Sequence, residues 1–206
     1  MADTDQPQIY LITPTEIELS RFGDQLSAVL DLHPVACVRL ALSTRDEAVI
    51  ARTADACRDI THARDVAIVI DSHIALVERL GLDGVHLPDG ARSVRKARKA
   101  LGADAIVGAY SGQSRHDGLS AGEAGSDYVS FGPMGHSLLG DGAQADPDLF
   151  SWWSEMIELP IVAEGALDVD LIAQLAPMTD FFGIGDEIWS TEDPAATLSE
   201  LIAAMG

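Results

Sequence analysis

The sequence predicts a single-domain α/β protein, specifically a (β/α)8 TIM barrel, and three observations carry that reading. Short apolar runs rich in Val and Ile alternate with longer amphipathic stretches along the 206 residues. Several short runs are apolar throughout, as strands buried on both faces are. The alternation repeats eight times, at roughly 26 residues per unit, which is compact but workable for a barrel. An open doubly wound sheet would usually carry a glycine-rich turn after its first strand. Here the first strand runs into Thr13-Pro14-Thr15-Glu16 instead.

Taken in order, residues 1–7 are expected to be a flexible N-terminus and 8–206 the barrel. Strands are expected at 8–12, 35–42, 66–70, 84–87, 105–109, 128–132, 161–163 and 181–185. A long helix is expected over 45–60, where Ala48, Val49, Ala51, Arg52 and Ala56 recur at three- and four-residue spacings. The chain's two lysines, Lys96 and Lys99, sit one turn apart on an outer helix. The segment 132–142 is too glycine-rich for regular structure. It follows strand six, so it is either a mobile loop over the C-terminal mouth or a plain surface connection. Asp146-Pro147 and Asp193-Pro194 each read as an N-cap followed by proline at the first helical position.

Composition excludes several roles. The formal charge is 13 − 33 = −20, and 47% of residues are apolar, so the chain can bury a core. Phosphate backbones and anionic lipid would repel it, which argues against nucleic-acid and membrane partners. No apolar run approaches the ~20 residues of a membrane span, and the polar start lacks a signal-like pattern. A cytoplasmic protein with a small-molecule ligand is expected, with a homodimer plausible. Cys37 and Cys57 fit neither a zinc spacing nor a disulfide framework and read as buried thiols. With both lysines on an outer helix, a Schiff-base aldolase is disfavoured.

Longer phrases point to a family. Tyr10-Leu11-Ile12-Thr13 lies at strand one and Leu80-Gly81-Leu82-Asp83-Gly84-Val85-His86-Leu87 runs into strand four. Gly125-Ser126-Asp127-Tyr128-Val129-Ser130-Phe131-Gly132-Pro133 spans strand six, and Leu159-Pro160-Ile161-Val162-Ala163-Glu164-Gly165 spans strand seven. On these phrases the sequence resembles thiamine phosphate synthases and their relatives, the thiazole tautomerases. The resemblance implies a (β/α)8 barrel. It also implies Mg²⁺-assisted joining of a pyrimidine methyl diphosphate to a thiazole phosphate, with diphosphate leaving first.

Carried over position by position, the resemblance meets replacements. The family's Gln-Leu-Arg-x-Lys on strand two is Arg39-Leu40-Ala41-Leu42-Ser43, leaving Arg39 to grip an anion or to sit in a structural salt bridge. Metal aspartates are expected after strands three and four. Asp71 and Asp89 lie within one or two residues of those positions and are the candidate Mg²⁺ ligands. The strand-six lysine of the family is replaced by Gly140. After strand five, Gly108-Ala109-Tyr110-Ser111-Gly112 has glycine where tautomerases have histidine, and Ser111 is the candidate catalytic residue there. His116, four residues on, is expected at a helix start on the surface, and His86 is expected to be buried in the barrel.

The family's phosphate site lies after strands seven and eight. Gly165, Ala166, Gly185 and Asp186 are the candidate donors, with the carboxylates Glu164, Asp186 and Glu187 beside them. The candidate catalytic set is therefore Arg39, Asp71, Ser111 and Glu164. Two functions remain open on these residues: a diverged or weakly active synthase-like enzyme, and a non-catalytic barrel binding a thiamine-pathway metabolite or a protein partner.

Overall fold

A computed structural model describes residues 6–135 and 143–206. Eight parallel strands close on themselves in sequence order, each pairing with the next and the last with the first. They are β1 Gln8–Ile12, β2 Val35–Leu40, β3 Ala67–Asp71, β4 Gly84–Leu87, β5 Ile106–Tyr110, β6 Tyr128–Phe131, β7 Ile161–Glu164 and β8 Phe181–Ile184. The helices on the outside are α1 Leu19–Leu32, α2 Glu47–His62, α3 Ile74–Leu80, α4 Val94–Leu101, α5 Arg115–Ala124, α6 Pro147–Met156, α7 Val169–Leu175, α8 Asp186–Trp189 and α9 Pro194–Ala203. The predicted barrel is the observed one.

Local signals hold at the helix starts. Asp46, one residue inside the expected helix, is the N-cap of α2, and its carboxylate accepts from the N–H groups of Ala48 and Val49. Asp146 and Asp193 cap α6 and α9 as expected, with proline at the first helical position of each. Lys96 and Lys99 are exposed on α4. Residues 1–5 of the expected flexible N-terminus and 136–142 of the expected mouth loop, Gly140 included, lie outside the described residues. The described part of that loop is tied down: Met134 and Gly135 both donate to the Gly165 carbonyl, at 2.9 and 3.0 Å.

Strand alternation sorts side chains between two cores. Outward residues such as Val38, Leu40, Ile68, Ile70 and Phe131 pack under the helices. Inward residues Tyr10, Cys37, Val69, Tyr128 and Val162 fill the barrel. Two glycines make that filling feasible. A Cβ on Gly108 would fall 2.0 Å from the Tyr128 ring, and one on Gly183 would fall 2.9 Å from the Glu164 side chain. The floor of the barrel repeats one device. Asp83, Asp127 and Asp180 stand just before β4, β6 and β8, and each carboxylate accepts a backbone N–H at the start of the preceding strand. Their donors are Ile68 at 2.7 Å, Val107 at 2.7 Å and Ile161 at 2.8 Å.

Candidate functional site

The C-terminal mouth, where barrels place their chemistry, holds the strand-end charges. Arg39 near the end of β2, Asp71 ending β3 and Glu164 ending β7 point into it. The Arg39 guanidinium donates from Nε to Asp71 Oδ1 at 2.7 Å and from Nη2 to Asp71 Oδ2 at 3.2 Å. Its Nη1 donates to Glu164 Oε2 at 2.9 Å. One cation thus serves two carboxylates. Burial opposes the Arg39 charge, but Glu164 and then Asp71 outweigh it and hold the guanidinium above its ordinary value. Burial also pushes the Glu164 carboxyl above the usual carboxylate range; Arg39 pulls it back and Asp71 adds to the rise.

Below this layer lies a buried polar chain. The Tyr10 and Tyr128 hydroxyls are 2.6 Å apart, and the Tyr128 hydroxyl is 3.0 Å from His86 Nδ1. Fewest groups go unpaired if Tyr10 donates to Tyr128 and Tyr128 donates to Nδ1, which puts the imidazole proton on Nε2. Burial, reinforced by the nearby Arg39 charge, drives the His86 pKa well below its usual value, so the ring is neutral. Among the described residues His86 Nε2 and the Ser111 hydroxyl have no hydrogen-bond partner.

The expected site residues divide between two grooves. Arg39, Asp71, Glu164, Gly165, Ala166, Gly185 and Asp186 line one mouth cavity of about 650 Å³. Ser111 and Asp89 line a neighbouring groove with Tyr110, Gly112 and Gln113. Ser111 is buried there, while the Tyr110 hydroxyl donates to the Gly132 carbonyl at 2.7 Å. His116 is exposed at the start of α5 and His86 is fully buried, both as expected. Three contributors escaped the sequence reading in whole or part. Tyr10 and Tyr128 show there only as apolar strand residues, and Leu167 N–H is an unforeseen donor. Leu167 and Gly185 both donate to the carboxylate of Glu187, at 3.1 and 2.7 Å.

The two candidate Mg²⁺ ligands do not converge. Both oxygens of Asp71 face the Arg39 guanidinium, and Asp89 accepts from the Ser93 hydroxyl at 2.7 Å in the other groove. Among the described residues no three His, Cys, Asp or Glu side chains gather as metal ligands. As arranged, this donor set does not fit the ion, and no step is assigned to it. No helix among the described residues is long and apolar enough to cross a membrane.

The chain is similar to known proteins in fold and in sequence. The solved thiamine phosphate pyrophosphorylase from Pyrococcus furiosus superposes with a TM-score of 0.83 at 18% identity, covering 96% of this chain and 95% of that one. A 3-hexulose-6-phosphate synthase structure also superposes, with a TM-score of 0.72 at 18% identity, covering 97% and 100%. At such identities these likenesses concern the fold alone. Sequence relatives are nearer. The thiamine-phosphate synthase of Rhodospirillum centenum is 37% identical over 203 residues, 96% of this chain and 97% of the relative. That of Erythrobacter litoralis is 37% identical over 213 residues, 99% of this chain and 100% of the relative. The family model described as thiamine monophosphate synthase matches residues 9–180. That match runs from β1 through β7, and the chain belongs to the thiamine monophosphate synthase family.

Proposed function

We propose that this chain is a cytoplasmic enzyme that transfers a pyrimidine methyl group from its diphosphate ester to a thiazole nitrogen, with slow turnover. The observation that carries the reading is the fixed pair of carboxylates, Asp71 and Glu164, held in the mouth by Arg39. In the transfer, the bond between the methylene carbon and the diphosphate oxygen breaks and its electron pair leaves with diphosphate. The thiazole nitrogen then donates its lone pair to the methylene cation, and a thiazolium forms without proton transfer. Positive charge develops at the carbon and ends on the ring. Preorganised carboxylates stabilise both, provided they need not reorganise at the moment of reaction. Arg39 keeps them in place.

The same charges oppose the anionic ground states. The mouth cavity presents one guanidinium and four carboxylates, those of Asp71, Glu164, Asp186 and Glu187. Arg39, the one cation among the described residues lining this cavity, already makes three hydrogen bonds. A charged contact is worth ~1.5–3 kcal/mol, so missing two or three reduces rate by several decades.

The test is direct. Purified protein is supplied with the pyrimidine diphosphate, thiazole phosphate and Mg²⁺, beside the Rhodospirillum centenum relative. Thiamine phosphate should form, at kcat/KM lower by a factor on the order of 10² or more. Equal rates would refute the slow turnover. Binding of either substrate without any product would instead support a non-catalytic barrel.

A further inference from the structure

One stretch of the surface runs against the charge of the whole chain. Residues 90–103 hold five of the 13 cations, both lysines among them, and no acid. The other 192 residues hold eight cations against 33 acids, a net charge of −25. Helix α4 is built from this stretch. Val94 and Ala97 are buried against the barrel, which leaves Arg95, Lys96 and Lys99 exposed, with Arg92 exposed just before the helix. Arg98 is already engaged: its guanidinium donates to the carbonyls of Ala105 and Gly125 and to Asp127 Oδ2. Among the described residues the other four make no hydrogen bond or ion pair. A helix face that is merely solvated gains from alternating signs, whereas like charges one turn apart repel. Four of one sign within eight residues leave a place for an anion.

The stripe leads to the mouth. Arg92 follows β4 by five residues, so Arg92, Arg95 and Lys96 lie at the mouth end of α4 and Lys99 one turn further away. Arg92 lines the groove that holds Tyr110, Ser111 and Gly112. The Ser111 hydroxyl is buried there with no hydrogen-bond partner among the described residues. Asp89 and Asp117 share the groove, and Asp89 already accepts from Ser93. Burial and then the Glu164 carboxylate push the Tyr110 hydroxyl upward, so this groove adjoins the charged mouth. An anion nearing the mouth from the side of β7 and β8 meets Glu164, Asp186 and Glu187. From the side of α4 it meets four unpaired cations.

We propose that the stripe of Arg92, Arg95, Lys96 and Lys99 is a docking surface for a small multivalent anion, and that the pyrimidine diphosphate reaches the mouth along it. Neighbouring cations on one helix face stand about 5–6 Å apart at Cβ, so two of them can hold the two phosphate groups of a diphosphate. The choice of the diphosphate ester rests on the transferase reading above, whereas the preference for a multivalent anion rests on the stripe alone. These side chains concentrate the anion beside the mouth and do not touch the reacting bond. With slow chemistry, substrate binding equilibrates before turnover. The stripe therefore acts through KM and leaves kcat unchanged.

The experiment measures binding apart from turnover. Sodium diphosphate, free of divalent cations, is titrated into the protein at low and at high salt and followed by amide NMR. Shifts should concentrate at residues 92–99, and the affinity should fall steeply as salt rises. Arg95→Gln/Lys96→Gln should weaken binding about three-fold, and a quadruple variant that adds Arg92→Gln and Lys99→Gln about ten-fold or more. The double variant serves if the quadruple one fails to fold in a thermal melt. As a control, Arg45→Gln/Arg52→Gln removes two exposed cations at and near the start of α2 and should leave binding unchanged. In the transferase assay the KM for the pyrimidine diphosphate should rise by the same factors at constant kcat. No binding, shifts confined to the loops after β7 and β8, an affinity indifferent to salt, or equal weakening in the control would overturn the proposal. If no product forms but diphosphate still docks at 92–99, the transferase reading fails and the stripe stands. If product forms with KM unchanged in both stripe variants, the reverse holds.

Discussion

Arg39 and Glu164 meet at 2.9 Å although they belong to β2 and β7, with β1 and β8 standing between those strands. The ion pair therefore spans the mouth. Since the same guanidinium also holds Asp71 from β3, its loss would strand two carboxylates at once.

Replacing Arg39 with methionine keeps the length of the side chain and removes only the charge and the donors. Removing one partner of a buried pair costs roughly 3–5 kcal/mol, because the remaining charge is left uncompensated. Asp71 is more exposed than Glu164, at 22% against 12%, so the lower end is expected here. Urea unfolding at pH 7 should show a loss of about 3 kcal/mol. A change under about 1 kcal/mol would mean that water already screens the pair.

The raised pKa of Glu164 gives stability a particular pH slope. A carboxyl whose folded value exceeds its unfolded value binds its proton more tightly in the fold. Its contribution is complete below the unfolded value near 4.5 and is lost as pH rises through the folded value. Most paired carboxylates act in the opposite sense, so the comparison must be made against Glu164→Gln. Denaturant midpoints from pH 4 to 8 should show wild type losing stability relative to the variant as pH rises. Parallel curves would contradict the assignment.

His86 works in the other direction. Its ring is held neutral in the fold, while the unfolded chain takes up a proton below about pH 6.5. Each pH unit below that value should cost on the order of 1.4 kcal/mol from this group alone. The His86 ring resonances should stay constant from pH 8 down to pH 5. Tyr128→Phe removes the hydroxyl between Tyr10 and His86 and should cost ~1–3 kcal/mol, measured by thermal or urea unfolding.

Both cysteines should be inert in the native protein. Burial pushes the thiols of Cys37 and Cys57 up to about 12, so neither carries appreciable thiolate at neutral pH. A colorimetric thiol reagent at pH 8 should titrate almost none before denaturation and two per chain after it. Rapid native labelling of either would show that the barrel opens at that cysteine.

The barrel was legible because periodicity and spacing are local properties. Its strand ends were less so. Asp71 and Glu164 lie just past the apolar runs that suggest β3 and β7, yet the strands include them, since a charged side chain can end a strand by pointing into the mouth. Strand five illustrates the cost of a single position. It was expected over 105–109, but it runs from Ile106 to Tyr110. Tyr110 therefore spans to Gly132, while Ser111, the sequence candidate, lies buried beside it. The Arg39–Glu164 contact joins residues 125 positions apart and depends on closure of the barrel, which sequence spacing does not encode. Glu187 was legible as a neighbour of the phosphate position. That it accepts from the Leu167 and Gly185 N–H groups depends on the conformation of two loops.

The aspartates of the floor, Asp83, Asp127 and Asp180, fasten β3 to β4, β5 to β6 and β7 to β8. The barrel is therefore stitched in two-strand modules at the end away from the charged mouth. Part of an acid excess that looks like surface character is thus architectural. Such a division means that a substitution among the charged residues of the mouth leaves the stitches untouched. Change in chemistry and persistence of fold then become separate events, each decided at its own end of the strands.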